Sequence, residues 1–311
     1  MKRLFKNLII ILSIVLLTVA AVEARTNKYA GKNSALFLDI PVDARGAAMG
    51  EASVAITEDV SALWWNPAGL GCVKTPQLLF MHNEYIQDLR QEYGAVAIPI
   101  KGKIPGVVGF SINYLDYGKL DRITITSGNA GTTTGNFDMN AWAATLAYSN
   151  RYNKDLSLGV SVKYIQDKLD TIKGTAWAVD GGLKYWVRSN LALGYSFSNL
   201  GSKIKYENES SDLPLTHRIG LGWHALNNKF TAVLDAVYTN RMGWSYNAGG
   251  EYWIIPKFAV RGGYLTGRDT KDKYTVGAGF VHKNISLDYS YSPFSDFGSS
   301  HKASINISFG N

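Results

Sequence analysis

Ile285-Ser286-Leu287-Asp288-Tyr289-Ser290-Tyr291-Ser292 alternates apolar and polar side chains without a break. In an extended strand successive side chains point to opposite faces, so this stretch has one oily face and one wet face. The last strand-like segment repeats the pattern, with Ala303, Ile305, Ile307 and Phe309 against Ser304, Asn306 and Ser308. Further upstream, Leu156, Leu158, Val160, Val162 and Tyr164 oppose Ser157, Gly159, Ser161 and Lys163, and Leu191, Leu193, Tyr195 and Phe197 oppose Ala192, Gly194, Ser196 and Ser198. No amphipathic helix of similar length interrupts these segments.

From Gln77 to the end, the alternation and the intervening Gly, Asn, Asp, Lys and Pro turns predict strands over 77–86, 90–100, 106–117, 137–150, 155–168, 174–187, 190–200, 216–225, 228–240, 243–255, 256–266, 272–283, 284–293 and 301–309. The number is about fourteen, an even count, as single-chain bacterial barrels require. Segments of about 9 to 14 residues exceed the usual 5 to 6 and match tilted spans of a ~25 Å apolar band. The fold class expected is therefore all-β, a 14-stranded antiparallel transmembrane barrel. A secreted β-sandwich shares the composition but needs shorter strands.

Connection lengths orient such a barrel, because short periplasmic turns alternate with longer outer loops. One set is short: His282–Asn284, Ile255–Lys257, Leu226–Asn228, Arg188–Asn190 and Asn150–Lys154. The other holds the long connections Pro293–Ser300, Thr266–Lys271, Gly201–Pro214 and Asp116–Asn136, with two short exceptions near Asp170 and Arg241. Both termini fall on the periplasmic side. The polar, glycine-rich run within Asp116–Asn136 reads as a mobile outer loop.

The same parity sends Lys163, Asp180, Lys184, Arg218, Asp235, Arg261 and Asp288 inward. A basic residue on the lipid face near the midplane costs roughly 2 to 4 kcal/mol, which excludes that placement. These seven are the candidate lumen charges, expected to pair with one another and with whatever fills the lumen.

At the other end of the chain, Lys2, Arg3 and Lys6 precede an apolar run from Leu8 to Val22, and Val22-Glu23-Ala24 suits cleavage after Ala24. The run is shorter than the ~20 residues that span a bilayer as a helix. Residues 1–24 are read as a cleaved signal peptide, 25–76 as a hatch and 77–311 as the barrel. The hatch segment does not alternate. It holds Asp43-Ala44-Arg45-Gly46-Ala47-Ala48-Met49-Gly50-Glu51-Ala52 and then Glu58-Asp59-Val60-Ser61-Ala62-Leu63-Trp64-Trp65-Asn66-Pro67-Ala68-Gly69-Leu70. Its small residues allow close packing in a narrow space, Asp59 is a candidate helix N-cap and Pro67 a helix stop, giving one or two small helices.

The chain has 311 residues, of which about 287 follow the signal, with 31 Gly, 18 Tyr, 12 Phe, 8 Trp and 18% charged residues. This balance fits a wall with one lipid face and one wet face. The formal charge of +7, nearer +5 without the signal, is spread without a basic block, which argues against nucleic acid as a partner. Cys72 has no second cysteine to pair with and reads as a buried small hydrophobe. The histidines His82, His217, His224, His282 and His301 are scattered. None lies in a nucleophile motif or at metal-ligand spacing, so neither an enzyme nor a cofactor is expected.

The Ala-Arg-Gly run, Met49-Gly50, the acidic pair Glu58-Asp59 and Trp65-Asn66-Pro67-Ala68-Gly69-Leu70 resemble the N-terminal region of the PorV/PorQ family, within the wider group of FadL-type long-chain fatty acid transporters. The resemblance implies a hatch in a 14-stranded barrel, with Arg45, Gly46, Met49, Gly50, Asp59, Trp65, Asn66, Pro67, Ala68 and Gly69 as its motif. It also implies an outer-membrane role in type IX secretion, with secretion components and exported cargo as partners. The alternative is passage of hydrophobic small molecules such as long-chain fatty acids, with Leu63, Trp64, Trp65 and Leu70 beside the route. A purely structural barrel is the third reading. In each case the lipid bilayer is a partner, and the barrel-assembly machinery is expected to read the last strand ending at Phe309.

Overall fold

The structure, a computed structural model, describes residues 34–125, 131–207, 209–267 and 271–310. The signal at 1–24, the first residues assigned to the hatch, and parts of two outer connections (126–130 and 268–270) lie outside the described residues.

The chain closes into a 14-stranded antiparallel barrel. Its wall strands in the first half are β1 (Gln77–Glu84), β2 (Arg90–Ile100), β3 (Gly106–Ile125), β4 (Gly131–Arg151), β5 (Leu156–Leu169), β6 (Ile172–Arg188) and β7 (Leu191–Gly201). The second half supplies β10 (Thr216–Ala225), β11 (Phe230–Thr239), β12 (Gly243–Ile255), β13 (Phe258–Leu265), β14 (Tyr274–His282), β15 (Ile285–Pro293) and β16 (Ser299–Ser308). The two-residue strands β8 (Ile204–Lys205) and β9 (Ser210–Ser211) lie in the β7–β10 connection. Each wall strand pairs with its neighbours in sequence, and β1 closes on β16 with Gln77 opposite Ser308. Closure leaves no unpaired edge, the condition for a sheet to stand in hydrocarbon.

The period-2 pattern settles which face is which. On β1, Leu79 and Met81 are buried inside while Phe80 between them is 52% exposed outside. Phe110, Leu146, Val160, Ile219 and Leu287 belong to the same outer band. In water that band would be an aggregation surface, but in lipid it is solvated.

Two outer connections depart from expectation. Asp116–Asn136 is not a loop: β3 and β4 continue their pairing past the wall, from Lys119 opposite Asp138 to Ile125 opposite Gly131. At 20 residues β3 spans about 66 Å, far beyond the apolar band. Gly118, at φ 74, absorbs the register shift between Asp116 and Lys119, and the β-branched residues beyond it favour strand. The Gly201–Pro214 connection folds back over the lumen. Its Ile204 and Leu213 are buried with Ala35, Phe37 and Leu38 at the start of the hatch, and the Ser34 amide donates to the Asp212 carbonyl at 3.2 Å.

The hatch fills the lumen below that cover. It consists of a 3-10 turn (Leu36–Asp39), α1 (Ala44–Ala48), a tight coil, α2 (Ala62–Trp65) and a second 3-10 turn (Pro67–Cys72). The N-cap of α2 is Ser61, not Asp59; the Asp59 carboxylate instead accepts from the Ser61 amide at 2.9 Å and its hydroxyl at 2.6 Å, turning the chain into the helix. Cys72 is half-buried rather than buried, and burial pushes its thiol up to about 11.

Candidate functional site

The hatch is first held to itself. Asp43 caps α1 by accepting from the Gly46 amide at 2.7 Å, and its other oxygen accepts from the Trp65 indole. Burial raises the Asp43 carboxyl, opposed by those two donors. A Cβ on Gly46 would overlap the Trp65 ring, so only glycine lets α1 and α2 meet. Asn66 caps the following 3-10 turn through the Ala68 amide at 3.1 Å, with Pro67 at its first position. The Asn66 side-chain amide also donates to the Val54 carbonyl at 2.9 Å and to Leu183 on β6 at 3.1 Å.

It is then held to the wall around most of its circumference. Arg45 pairs with Glu251 on β12 through two bonds of 2.9 Å, and Glu251 also takes Arg261 on β13 at 2.7 Å. Arg261 continues to Asp288 on β15 at 2.6 Å. Asp235 on β11 accepts from the Ser53 and Val54 amides at 2.8 and 3.1 Å. Lys184 on β6 pairs with Glu58 at 2.9 Å and donates to the Thr57 carbonyl at 3.2 Å. Burial works against the Glu58 carboxylate, but Lys184 outweighs it and its pKa is lowered. Gly50 donates to Thr275 on β14 at 3.0 Å, and the Ala68 carbonyl accepts from Ser149 and Ser157. Met49 is sealed against Ala52, Ile56 and Val233, and Gly69 lies too close to the Thr57 carbonyl for any side chain.

All seven candidate lumen charges are buried on the inner face. Four of them, Lys184, Asp235, Arg261 and Asp288, contact the hatch or one another as above, and Lys163 and Asp180 form a separate pair at 3.2 Å, shared with Asn199 at 2.7 Å from Lys163. Arg218 is different: among the described residues no hydrogen bond or ion pair engages it, and its guanidinium lies 4.8 Å over the Trp64 ring. The sequence reading missed Glu251, the hub of the Arg45–Arg261 pair. Its role shows only in the register of β12 and β13, where Glu251 sits directly across from Arg261 on the inner face.

The hatch divides the lumen. On the side of the short turns, opposite the start of the hatch at Ser34, lies a polar vestibule of about 780 Å³, lined by Asp43, Arg45, Glu58, Arg151, Arg188 and Glu251 among others. On the loop side a smaller cavity of about 220 Å³ lies between hatch and wall around Arg218. Between the hatch and strands β1–β4 runs an apolar seam of Val60, Leu63, Leu70, Leu79, Met81 and Tyr93. Behind it, on the lipid face, an apolar groove of about 870 Å³ passes over β1–β3 and β13–β16, and Met81 and Tyr93 border this groove too. No group of His, Cys, Asp and Glu among the described residues has the arrangement of a metal site.

No protein-family model matches the sequence, and no curated protein does. Solved structures do match in shape. The toluene transporter TbuX of Ralstonia pickettii superposes with a TM-score of 0.60 at 14% identity, over 87% of this chain and 98% of that one. A FadL homologue of Pseudomonas aeruginosa gives 0.61 at 12% identity, over 86% and 98%. The fold is that of FadL-type outer-membrane transporters. The Pseudomonas putida toluene transporter TodX agrees, at 0.59 and 13% identity over 84% of this chain and 95% of that one. The barrel fold matches that of outer-membrane proteins. The likeness does not reach PorV/PorQ specifically.

Proposed function

We propose that this protein passes hydrophobic small molecules across the outer membrane, the second of the two functions its sequence suggests. The observation that carries this reading is the apolar seam between the hatch and β1–β4, backed across a single layer of wall by the apolar groove. An oily solute needs a dry path beside a polar hatch, and this seam is an apolar flank of the lumen, away from the ion pairs and amide bonds that fasten the hatch to β6, β11 and β12. The resemblance in fold to toluene transporters supports it. The secretion role suggested by the hatch motif has no such support. The wall is fully paired from β1 to β4 up to Asp116, so a molecule crossing there requires the strands to part. Export by the signal at 1–24 and insertion through the final strand complete the proposal.

The test is uptake of labelled toluene and of a labelled long-chain fatty acid by cells with and without the gene, alongside a survey of surface proteins. Faster uptake with the protein present supports passage. Unchanged uptake with a depleted cell surface would return the secretion reading, and no change in either would leave a structural barrel.

A further inference from the structure

The cavity on the loop side contains a cation that the fold leaves without a partner. Arg218 is 8% exposed, lines the 220 Å³ space, and makes no hydrogen bond or ion pair among the described residues. Its strongest carboxylate neighbour is Asp39, with no hydrogen bond between the two; Asp180 is taken by Lys163, and one oxygen of Asp235 by two hatch amides. A buried cation without a direct hydrogen-bonded partner is unfavourable, and a fold that keeps one at a cavity wall is prepared for an anion. The Arg218 guanidinium carbon lies 4.8 Å from the centre of the Trp64 ring and 5.9 Å from that of Trp65, which holds it in place, and a guanidinium takes a carboxylate by two parallel bonds.

Two other atoms in the same cavity lack partners. Asn247, 7% exposed, leaves its Oδ1 unbonded, and so does Asp39 its sealed Oδ2. Both are acceptors, and both call for a donor. The remaining charged groups facing the space are Glu51 and Lys302, whose ammonium donates to the Pro41 carbonyl. Opposite the polar groups, Ile40, Val237, Met242, Leu265 and Phe294 supply an apolar side. The space is smaller than the 300 Å³ or more of drug-sized sites, which excludes a long chain.

We infer that the Arg218 cavity is a binding site for a small organic acid, aromatic or short-chained, whose carboxylate takes the guanidinium and whose body lies against Val237, Leu265 and Phe294. The inference rests on the passage reading for its place on a route, and it narrows the class of molecule from neutral hydrocarbons to acids. Burial pushes the Asp39 carboxyl up to about 6, so it takes a proton at little cost when a second carboxylate arrives and donates to it.

The test is titration of the purified full-length protein in detergent with benzoate, toluene and dodecanoate, followed by calorimetry and by tryptophan emission, since Trp64 stacks on the group that would bind. Benzoate is expected to bind and to shift the emission, toluene to bind about tenfold more weakly or worse, and dodecanoate no better than benzoate. Arg218→Gln should lose about tenfold or more of the benzoate affinity, while Arg218→Lys, which keeps the charge but not the fork, should fold and lose part of it. Equal binding of benzoate and toluene, or equal binding of benzoate by the wild type and a folded Arg218→Lys or Arg218→Gln protein, would overturn the inference, as would absence of benzoate binding. Benzoate binding without any uptake in cells would uphold this site and sink the passage reading; toluene uptake without benzoate binding would do the reverse.

Discussion

The Arg45 guanidinium of the hatch meets Glu251 of the wall through two 2.9 Å bonds, and the same carboxylate, 1% exposed, is held from behind by Arg261. One acid thus bridges two cations, one on the plug and one on the barrel, and Asp288 on the far side of Arg261 balances the set. Removing one member of such a buried set leaves charge without compensation, a cost of roughly 3 to 5 kcal/mol. Glu251→Gln is therefore expected to lower the melting temperature in detergent and to raise single-channel conductance in planar bilayers, as the hatch loosens. Unchanged conductance together with unchanged melting would show that the pair is dispensable.

Gly263 and Gly262 are adjacent on β13 and face opposite ways. A Cβ on Gly263 would occupy the place of the Gly50 amide, whereas on Gly262 the nearest heavy atom is 3.9 Å away. Gly263→Ala should displace the hatch and destabilise the barrel by about 1 to 3 kcal/mol, the usual cost of overpacking. Gly262→Ala should be close to neutral. Equal melting temperatures for the two variants would refute the close approach.

Asp39 provides a pH test. Its carboxyl is raised from 3.8 to about 6 by burial, with Arg218 and Lys163 opposing. The folded protein therefore binds this proton more tightly than the unfolded chain. The associated stability is complete below pH 3.8 and is lost as pH rises through 6. Compared at pH 8, Asp39→Asn should melt higher than the wild type, and at pH 4 the gap should close. A gap that is the same at both values would remove Asp39 as its source.

Trp65→Phe removes one donor from the buried Asp43 carboxylate while keeping an aromatic ring. An unsatisfied buried acceptor costs about 1 to 3 kcal/mol, and the loss should appear as a lower melting temperature without any change in barrel secondary structure by circular dichroism. The same Trp65→Phe change made in an Asp43→Asn chain, which keeps a capping side chain on α1 but no charge, should cost less, identifying the unpaired acid as the cause.

The wall was legible because its constraint is local: the 285–292 stretch shows its two faces by parity alone, and the same parity puts Arg261 and Asp288 inside. Strand ends were legible to within a few residues for the same reason, except the end of β3 and the start of β4. What Arg261 pairs with was not, because Glu251 acts as a partner only once β12 and β13 are in register and Arg45 arrives from 206 residues away. The β3–β4 ribbon was hidden by composition, since threonine and glycine in 116–136 suit a loop and a solvated two-stranded ribbon alike. Arg218 looked like the other inward charges. Its lack of a partner depends on where Lys163 and the hatch amides place the neighbouring acids, which no sequence pattern records.

The hatch, which precedes every strand in the chain, is fastened to the first and last of them. Val60 bonds Gln77 of β1 at 2.9 Å, and Ala44 bonds the Ser304 hydroxyl of β16 at 3.2 Å. The plug is thus a clasp across the closing seam, bonded to the two strands that meet there. A chain deprived of 34–76 would have to close its cylinder over empty space lined by Lys184, Arg261 and Asp235.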